Sequence, residues 1–139
     1  MEQSDETELT GKKRIVRQAM RKAIFEFTAE KNRAEAASKK IERLLLGSEL
    51  YAASDTLFIF VSDSSEVETR GIIASALKDK KRVALPRCID TDGTMEFYYL
   101  DAALPFEAQT EIGAYGITEP KTVLEKVDTK DFPHASLFL

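Results

Sequence analysis

Two carboxylates and a row of cations are the residues of this chain best placed to do chemistry. Glu66 and Glu68 sit in the stretch SDSSEVET, directly after the apolar run LFIFV at residues 57–61. If the backbone there is extended, successive side chains alternate, and residues two apart share a face only within an unbroken strand. In the polar loop that this stretch resembles, one carboxylate is expected to face a ligand and the other solvent. The cations come earlier. Lys13 and Arg17 are spaced by one helical turn, with Arg14 between them. Residues four apart on a helix project together and can reach one anion. The same pattern also describes a solvated basic face on an amphipathic helix, and spacing alone does not separate the two.

The elements that must position these residues follow from the apolar pattern. Leu57, Phe58, Ile59, Phe60 and Val61 form an unbroken run, partly β-branched, that suits a strand buried on both faces in a parallel sheet. In open α/β sheets ligands sit beyond the carboxyl ends of strands, so the acidic loop after this run is a site by position as well as by composition. Thr69 opens a helix with Ile72, Ile73, Ala76 and Leu77 at helical spacing, and KDKKR at residues 78–82 gives that helix a cationic end. A second apolar run, Val83–Leu85, is closed by Pro86 and Arg87, which completes one βαβ unit.

Ahead of this unit, Ile15, Val16, Ala19, Met20, Ala23 and Ile24 repeat at helical spacing. Phe27 and Thr28 mark a break, with Thr28 as the cap of a second helix that stops at Gly47. Behind it, DTDG at residues 90–93 is turn chemistry, and Met95, Phe97 and Tyr99 alternate as in a half-exposed strand. GAYGITEP at residues 113–120 reads as loop, residues 123–133 as a polar connector, and residues 135–139 as the start of another buried strand.

Composition bounds the rest. A chain of 139 residues is one domain, residues 1–139, with residues 1–10 expected as a disordered tail. Its net charge of −4 gives no pull toward nucleic acid or an anionic membrane. A single cysteine, Cys88, allows no internal disulfide, and a single histidine, His134, rules out a His-rich metal site. With no signal-peptide pattern and no long apolar span, the expected setting is cytoplasmic. No phosphate-binding GxxxxGK[ST], GxGxxG, CxxC pair or serine elbow is present.

Five segments in order, Lys13–Arg17, Ser62–Thr69, Val83–Arg87, Met95–Tyr98 and Gly113–Pro120, resemble the 5-formyltetrahydrofolate cyclo-ligase family, from Lys12 to the last residue. The resemblance implies an α/β fold with a largely parallel sheet flanked by helices in three layers. It implies conversion of 5-formyltetrahydrofolate to 5,10-methenyltetrahydrofolate, with ATP as co-substrate, Mg2+ as cofactor, and ADP and phosphate as products. In that chemistry the formyl oxygen is phosphorylated, N10 attacks the carbon and phosphate leaves. The resemblance puts Lys13, Arg14 and Arg17 at the ATP phosphates, which gives the basic helix face a partner. It puts Val61, Glu66 and Tyr115 in the folate site, where a carboxylate suits the N–H-rich edge of a pterin and an aromatic ring can stack. Arg87 serves equally well as a local structural anion-binder. No residue is singled out for the chemistry itself.

The chain departs from the family pattern in one respect. A G-x-x-F-D segment and a glycine-rich G-x-G-x-G-Y-Y-D loop, which in the family wraps the phosphates and supplies a magnesium-binding aspartate, have no counterpart here. Backbone N–H groups of such a loop cradle phosphate and its acid holds the metal. The expectation is an N-terminal portion of the enzyme with the C-terminal part of the fold absent, and little turnover alone. The alternative is a non-catalytic folate- or nucleotide-binding module derived from the family. The expected state is a monomer, or weak self-association through the open edge near Leu139.

Overall fold

A computed structural model describes residues 2–139 of the chain, with side chains from residue 7 onward. In chain order the elements are α1 (Glu2–Ala29), α2 (Lys31–Leu46), α3 (Glu49–Ala53), β1 (Thr56–Phe58), α4 (Arg70–Lys78), β2 (Arg82–Cys88), β3 (Met95–Tyr99), a 3-10 turn at Phe106–Ala108, β4 (Thr110–Ile112), β5 (Thr118–Pro120) and β6 (Ser136–Phe138). Four strands form one sheet in the order β3-β2-β1-β6, and β4 and β5 pair as a separate hairpin. β1 runs parallel to both β2 and β6, while β3 runs antiparallel to β2. This is the expected mostly parallel sheet flanked by helices, with β1–α4–β2 as its βαβ unit.

The period of two along β1 and β2 divides the core. Leu57, Ile59, Val61, Val83 and Leu85 point to one face, where they meet Tyr51, Ile72, Ile73 and Ala76 of α3 and α4. Phe58 and Ala84 point to the other, against Tyr99 and Val127. There the Phe58 ring stacks on Phe138, with centroids 4.3 Å apart, and meets Phe97 and Phe132 edge-on. Tyr51 ties α3 to α4: its hydroxyl donates to Asp79 at 2.6 Å. Burial and that hydrogen bond push its phenol above the usual tyrosine range.

Several sequence expectations differ from the structure. α1 reaches back to Glu2, through the stretch expected as a disordered tail; Met1 lies outside the described residues. Nor does it break at Phe27 and Thr28. The Thr28 hydroxyl donates to Ile24 O inside α1, and α2 begins after Glu30 instead. The end of α2 at Gly47 is as expected, but a short helix follows, capped by Ser48, whose hydroxyl accepts from Tyr51 N.

Pro86 lies inside β2 rather than closing it. Bonds from Leu100 N to Val83 O and from Ile89 N to Thr94 O put the odd-numbered residues of β2 in the hydrogen-bonded pairs. Pro86 therefore falls opposite Phe97 in a pair that exchanges none, and its missing N–H faces the side that β1 has already left. The stretch at residues 113–120 ends in a strand, since β5 pairs with the preceding β4 as a hairpin. The polar connector also contributes to the sheet, because Tyr99 N donates to Glu125 O and Val127 N to Phe97 O. β6 is a strand, as expected, but its residues are only partly buried.

α1 is different in kind. Between Leu9 and Ile24 its apolar stripe stays exposed, with Ile15, Val16 and Met20 each more than half open to solvent. Among the described elements, α1 packs chiefly on α2.

Candidate functional site

A cleft of about 310 Å³ opens where the strands end. Phe60, Val61, Ser62, Asp63 and Glu66 line it from the end of β1, Pro86 and Cys88 from β2, Met95 from β3, and residues 116–119 from the hairpin. The sheet's connectivity produces it. β1 stays in register with β2 only as far as Phe58 and Ala84, then leaves, while β2 continues to Cys88. The space beside the last residues of β2 is the cleft.

The loop at residues 62–68 is held by its own side chains. Thr69 carries most of this: its hydroxyl donates to Phe60 O at 2.8 Å and accepts from Ser62 N at 3.0 Å, and its N–H donates to the Ser62 hydroxyl at 3.0 Å. Thr69 is 2% exposed and precedes α4 as expected, yet its side chain clasps the loop instead of capping the helix. The capping falls to Glu68, whose Oε1 accepts from Arg70 N at 2.9 Å and from the Ser62 hydroxyl at 3.0 Å. Asp63 Oδ1 accepts from both the backbone and the hydroxyl of Ser65, an Asx turn. Glu66 Oε2 accepts from Asp63 N at 2.9 Å, so one carboxylate oxygen is fixed by the loop and the exposed head borders the cleft. The loop is curled, not extended, so Glu66 and Glu68 differ in role through their hydrogen bonds and not through strand alternation.

Glu66 also borders two grooves on its other side. An apolar one of about 410 Å³ lies between α1 and α2, lined by Ile24, Phe27, Ala37, Ile41 and Val67. A more polar one of about 640 Å³ lies between α2 and the loop, with Lys31, Lys39, Glu42, Asp63 and Glu68. Glu66 is thus the residue at which the cleft and the helical arm meet.

The structure brings Val61 and Glu66 to the same cleft. Tyr115 is at the exposed tip of the hairpin, next to Gly116, which does line the cleft; φ of +70° at Gly116 marks the tight turn there. Lys13, Arg14 and Arg17 are exposed on α1 and line none of these cavities. The apolar groove comes no nearer to Arg17 than Ala23, roughly 9 Å further along the helix axis. Arg87 donates to Glu111 Oε1 at 2.8 Å and to Pro120 O at 2.9 Å, which gives it a structural role in holding the hairpin. His134 is exposed. Among the described residues no group of three or more His, Cys, Asp or Glu is arranged to hold a metal ion. No helix among them is long and apolar enough to cross a membrane.

Sequence reading missed Glu119. It is 3% exposed, lines the cleft and accepts from Cys88 N at 3.1 Å. A glutamate directly before a proline carries no local sign of burial, and Gly113, whose missing Cβ leaves room for that carboxylate, reads from sequence as an ordinary loop glycine.

The fold is that of an α/β protein with a cleft at the carboxyl ends of its parallel strands, the place where open α/β sheets bind ligands. The model of the 5-formyltetrahydrofolate cyclo-ligase family matches residues 9–132, and the chain belongs to that family. Among solved structures it is similar to the NMR structure of 5,10-methenyltetrahydrofolate synthetase from Aquifex aeolicus, with a TM-score of 0.64 and 21% identity. That similarity covers 79% of this chain and 53% of the other, so the chain spans about half the length of that structure. No curated protein matches.

Proposed function

We propose that the cleft beyond β1 and β2 binds 5-formyltetrahydrofolate, and that the chain takes part in its ATP-dependent cyclisation to 5,10-methenyltetrahydrofolate with release of ADP and phosphate. The observation that carries this is the placement of Val61 and Glu66 together at the strand ends, in a chain of the cyclo-ligase family. Val61 offers an apolar wall for a flat ring. Glu66, with one oxygen held by Asp63 N, keeps acceptor capacity for the N–H groups on a pterin edge. Tyr115, exposed on the hairpin tip beside the cleft, is positioned to close over the bound ring.

In the proposed reaction the formyl oxygen takes the γ-phosphoryl group of ATP, N10 attacks the formyl carbon and loses its proton, and the C–O bond breaks to release phosphate. The chain's part is to orient the folate so that N10 faces that carbon, and to meet phosphate charge with Lys13, Arg14 and Arg17. Among the described residues those cations form no ion pair with a cleft residue, and all three are exposed. Mg2+ would accompany ATP in such a reaction. Among the described residues no cluster of three or more acidic, histidine or cysteine side chains would hold it as a resident ion.

A second reading rests on the match reaching only 53% of the solved relative's length: a folate-binding module of this family without turnover. Titration of the chain with 5-formyltetrahydrofolate, followed by addition of MgATP and recording of the methenyl product's near-ultraviolet absorbance, separates the two. Binding with an ATP-dependent rise supports the ligase, and binding without a rise supports the module. Glu66→Ala is expected to weaken folate binding about tenfold or more while leaving the melting temperature nearly unchanged, as loss of one charge-assisted contact predicts. Equal folate affinity in the variant and the parent removes Glu66 from the site.

A further inference from the structure

Glu119 has a burial that the binding reading does not use. Its carboxylate is enclosed between the end of β2 and the β4–β5 hairpin, where Oε1 accepts from Cys88 N and Oε2 is 3.9 Å from Arg87 Nη1. The Cys88 N–H needs this partner for a topological reason. Cys88, like Pro86, sits in a pair with β3 that exchanges no hydrogen bonds, so its N–H points to the side that β1 has vacated. Pro86 has no N–H to satisfy there; Cys88 does, and Glu119 takes the place of the absent strand. Arg87 fastens the other strand of the hairpin through Glu111 and holds the chain at Pro120 O.

Gly113 completes the arrangement. Its φ lies outside the left-handed region, so its backbone does not require glycine. A Cβ at Gly113 would instead run into the carboxylate of Glu119. The glycine is therefore there to admit the carboxylate. Gly113 also begins the tip, accepting from Gly116 N at 3.1 Å and donating to Ile117 O at 2.8 Å, and Tyr115 lies between these bonds.

We infer that Glu119, seated against Gly113, is a positioning residue: it latches the hairpin to the end of β2 and so sets the height of Tyr115, Gly116 and Ile117 over the cleft. Any consequence for folate rests on the function proposed above; the latch itself does not. Backbone amide exchange across residues 113–118 and calorimetric affinity for 5-formyltetrahydrofolate should be measured for the parent, Glu119→Ala, Glu119→Gln, Gly113→Ala and the Gly113→Ala, Glu119→Ala double variant. Glu119→Ala and Gly113→Ala should each speed exchange at the tip and weaken folate binding about tenfold, the scale of a misplaced positioning group. Exchange in α4 should stay at the parent rate. Glu119→Gln, which keeps an acceptor for Cys88 N, should recover most of both losses. The double variant should be no worse than either single change, because removing the carboxylate makes room for the new methyl group. Unchanged tip exchange in Glu119→Ala, or fully additive losses in the double variant, overturns the latch. If the parent binds no folate, the binding proposal fails while the exchange pattern still decides the latch; if Glu119→Ala does not fold, Glu119→Gln and Gly113→Ala carry the same test.

Discussion

The cleft and the basic helix face are built in opposite ways, although both are assigned to ligands of one reaction. Around the cleft each candidate group is held by the fold: Val61 by burial, Glu66 by Asp63 N, the loop by Thr69, the hairpin by Arg87 and Glu119. Among the described residues no tertiary salt bridge holds Lys13, Arg14 or Arg17, and even the apolar stripe beside them is open. A site for a rigid, partly apolar ring needs shape, and shape comes from a packed core. Cations that meet phosphate can act through charge from a helix surface, with far less preorganisation, at the expense of strength in water. On the proposed function, the difference separates a folate site set by geometry from a phosphate site set only by charge.

That contrast breaks if the two regions respond alike to truncation. Leu57 is fully buried in β1, whereas Val16 is 61% exposed on α1. Leu57→Ala should lower unfolding free energy by about 2–5 kcal/mol, read from the urea midpoint, through lost burial and a residual cavity. Val16→Ala should fall within about 0.5 kcal/mol of the parent. A large loss at Val16 would mean that the α1 stripe is covered in solution. A finer probe lies inside the cleft itself. Thr69→Val keeps the shape of the side chain but strands Ser62 N and Phe60 O, and should cost about 1–3 kcal/mol. It should also weaken 5-formyltetrahydrofolate binding, because the loop that carries Glu66 loses its clasp. Stability lost with affinity intact would show that the loop orders itself around Glu66 without Thr69.

The parts of this fold legible in the sequence are those whose cause is local. An unbroken run from Leu57 to Val61 announced a doubly buried strand, although its ladder stops at Phe58. Asp90 and Gly93 announced a turn, and in the structure Asp90 Oδ1 accepts from Asp92 N and Thr94 N while Gly93 has φ +85°. Hydrogen bonding to Thr94 holds the Asp90 carboxyl below its usual range. The features that were misjudged have distant causes. Pro86 is tolerated in β2 because of pairing parity with β3 and the departure of β1, neither visible near Pro86. Thr28 is the exception with a local cause: its hydroxyl bonds Ile24 O four residues back instead of capping α2, and α1 ends at Ala29. Glu119 is buried because Cys88 N, 31 residues away, has no strand partner. Residue types at the site were readable; the hydrogen bonds that assign them their roles were not.

The smallest expected effect concerns the basic face. Lys13→Ala with Arg17→Ala removes two exposed cations that no buried group depends on, so unfolding free energy should move by less than about 0.5 kcal/mol. Its signature belongs in nucleotide binding. A surface charge a few ångströms from phosphate is worth about 1 kcal/mol in water, so loss of the two together should cost roughly thirtyfold in ATP affinity at low salt. Screening shortens the reach of exposed charges to about 8 Å at physiological ionic strength, and the difference between parent and variant should shrink as salt is raised. Titrating both proteins with ATP across a salt series measures this. A loss that persists at high salt would mean that Lys13 and Arg17 make enclosed contacts with phosphate, and α1 would then have to close over the ligand. Identical affinities at every salt concentration would take the nucleotide off this face altogether, and leave the cleft as the one site on this chain with a ligand to argue for.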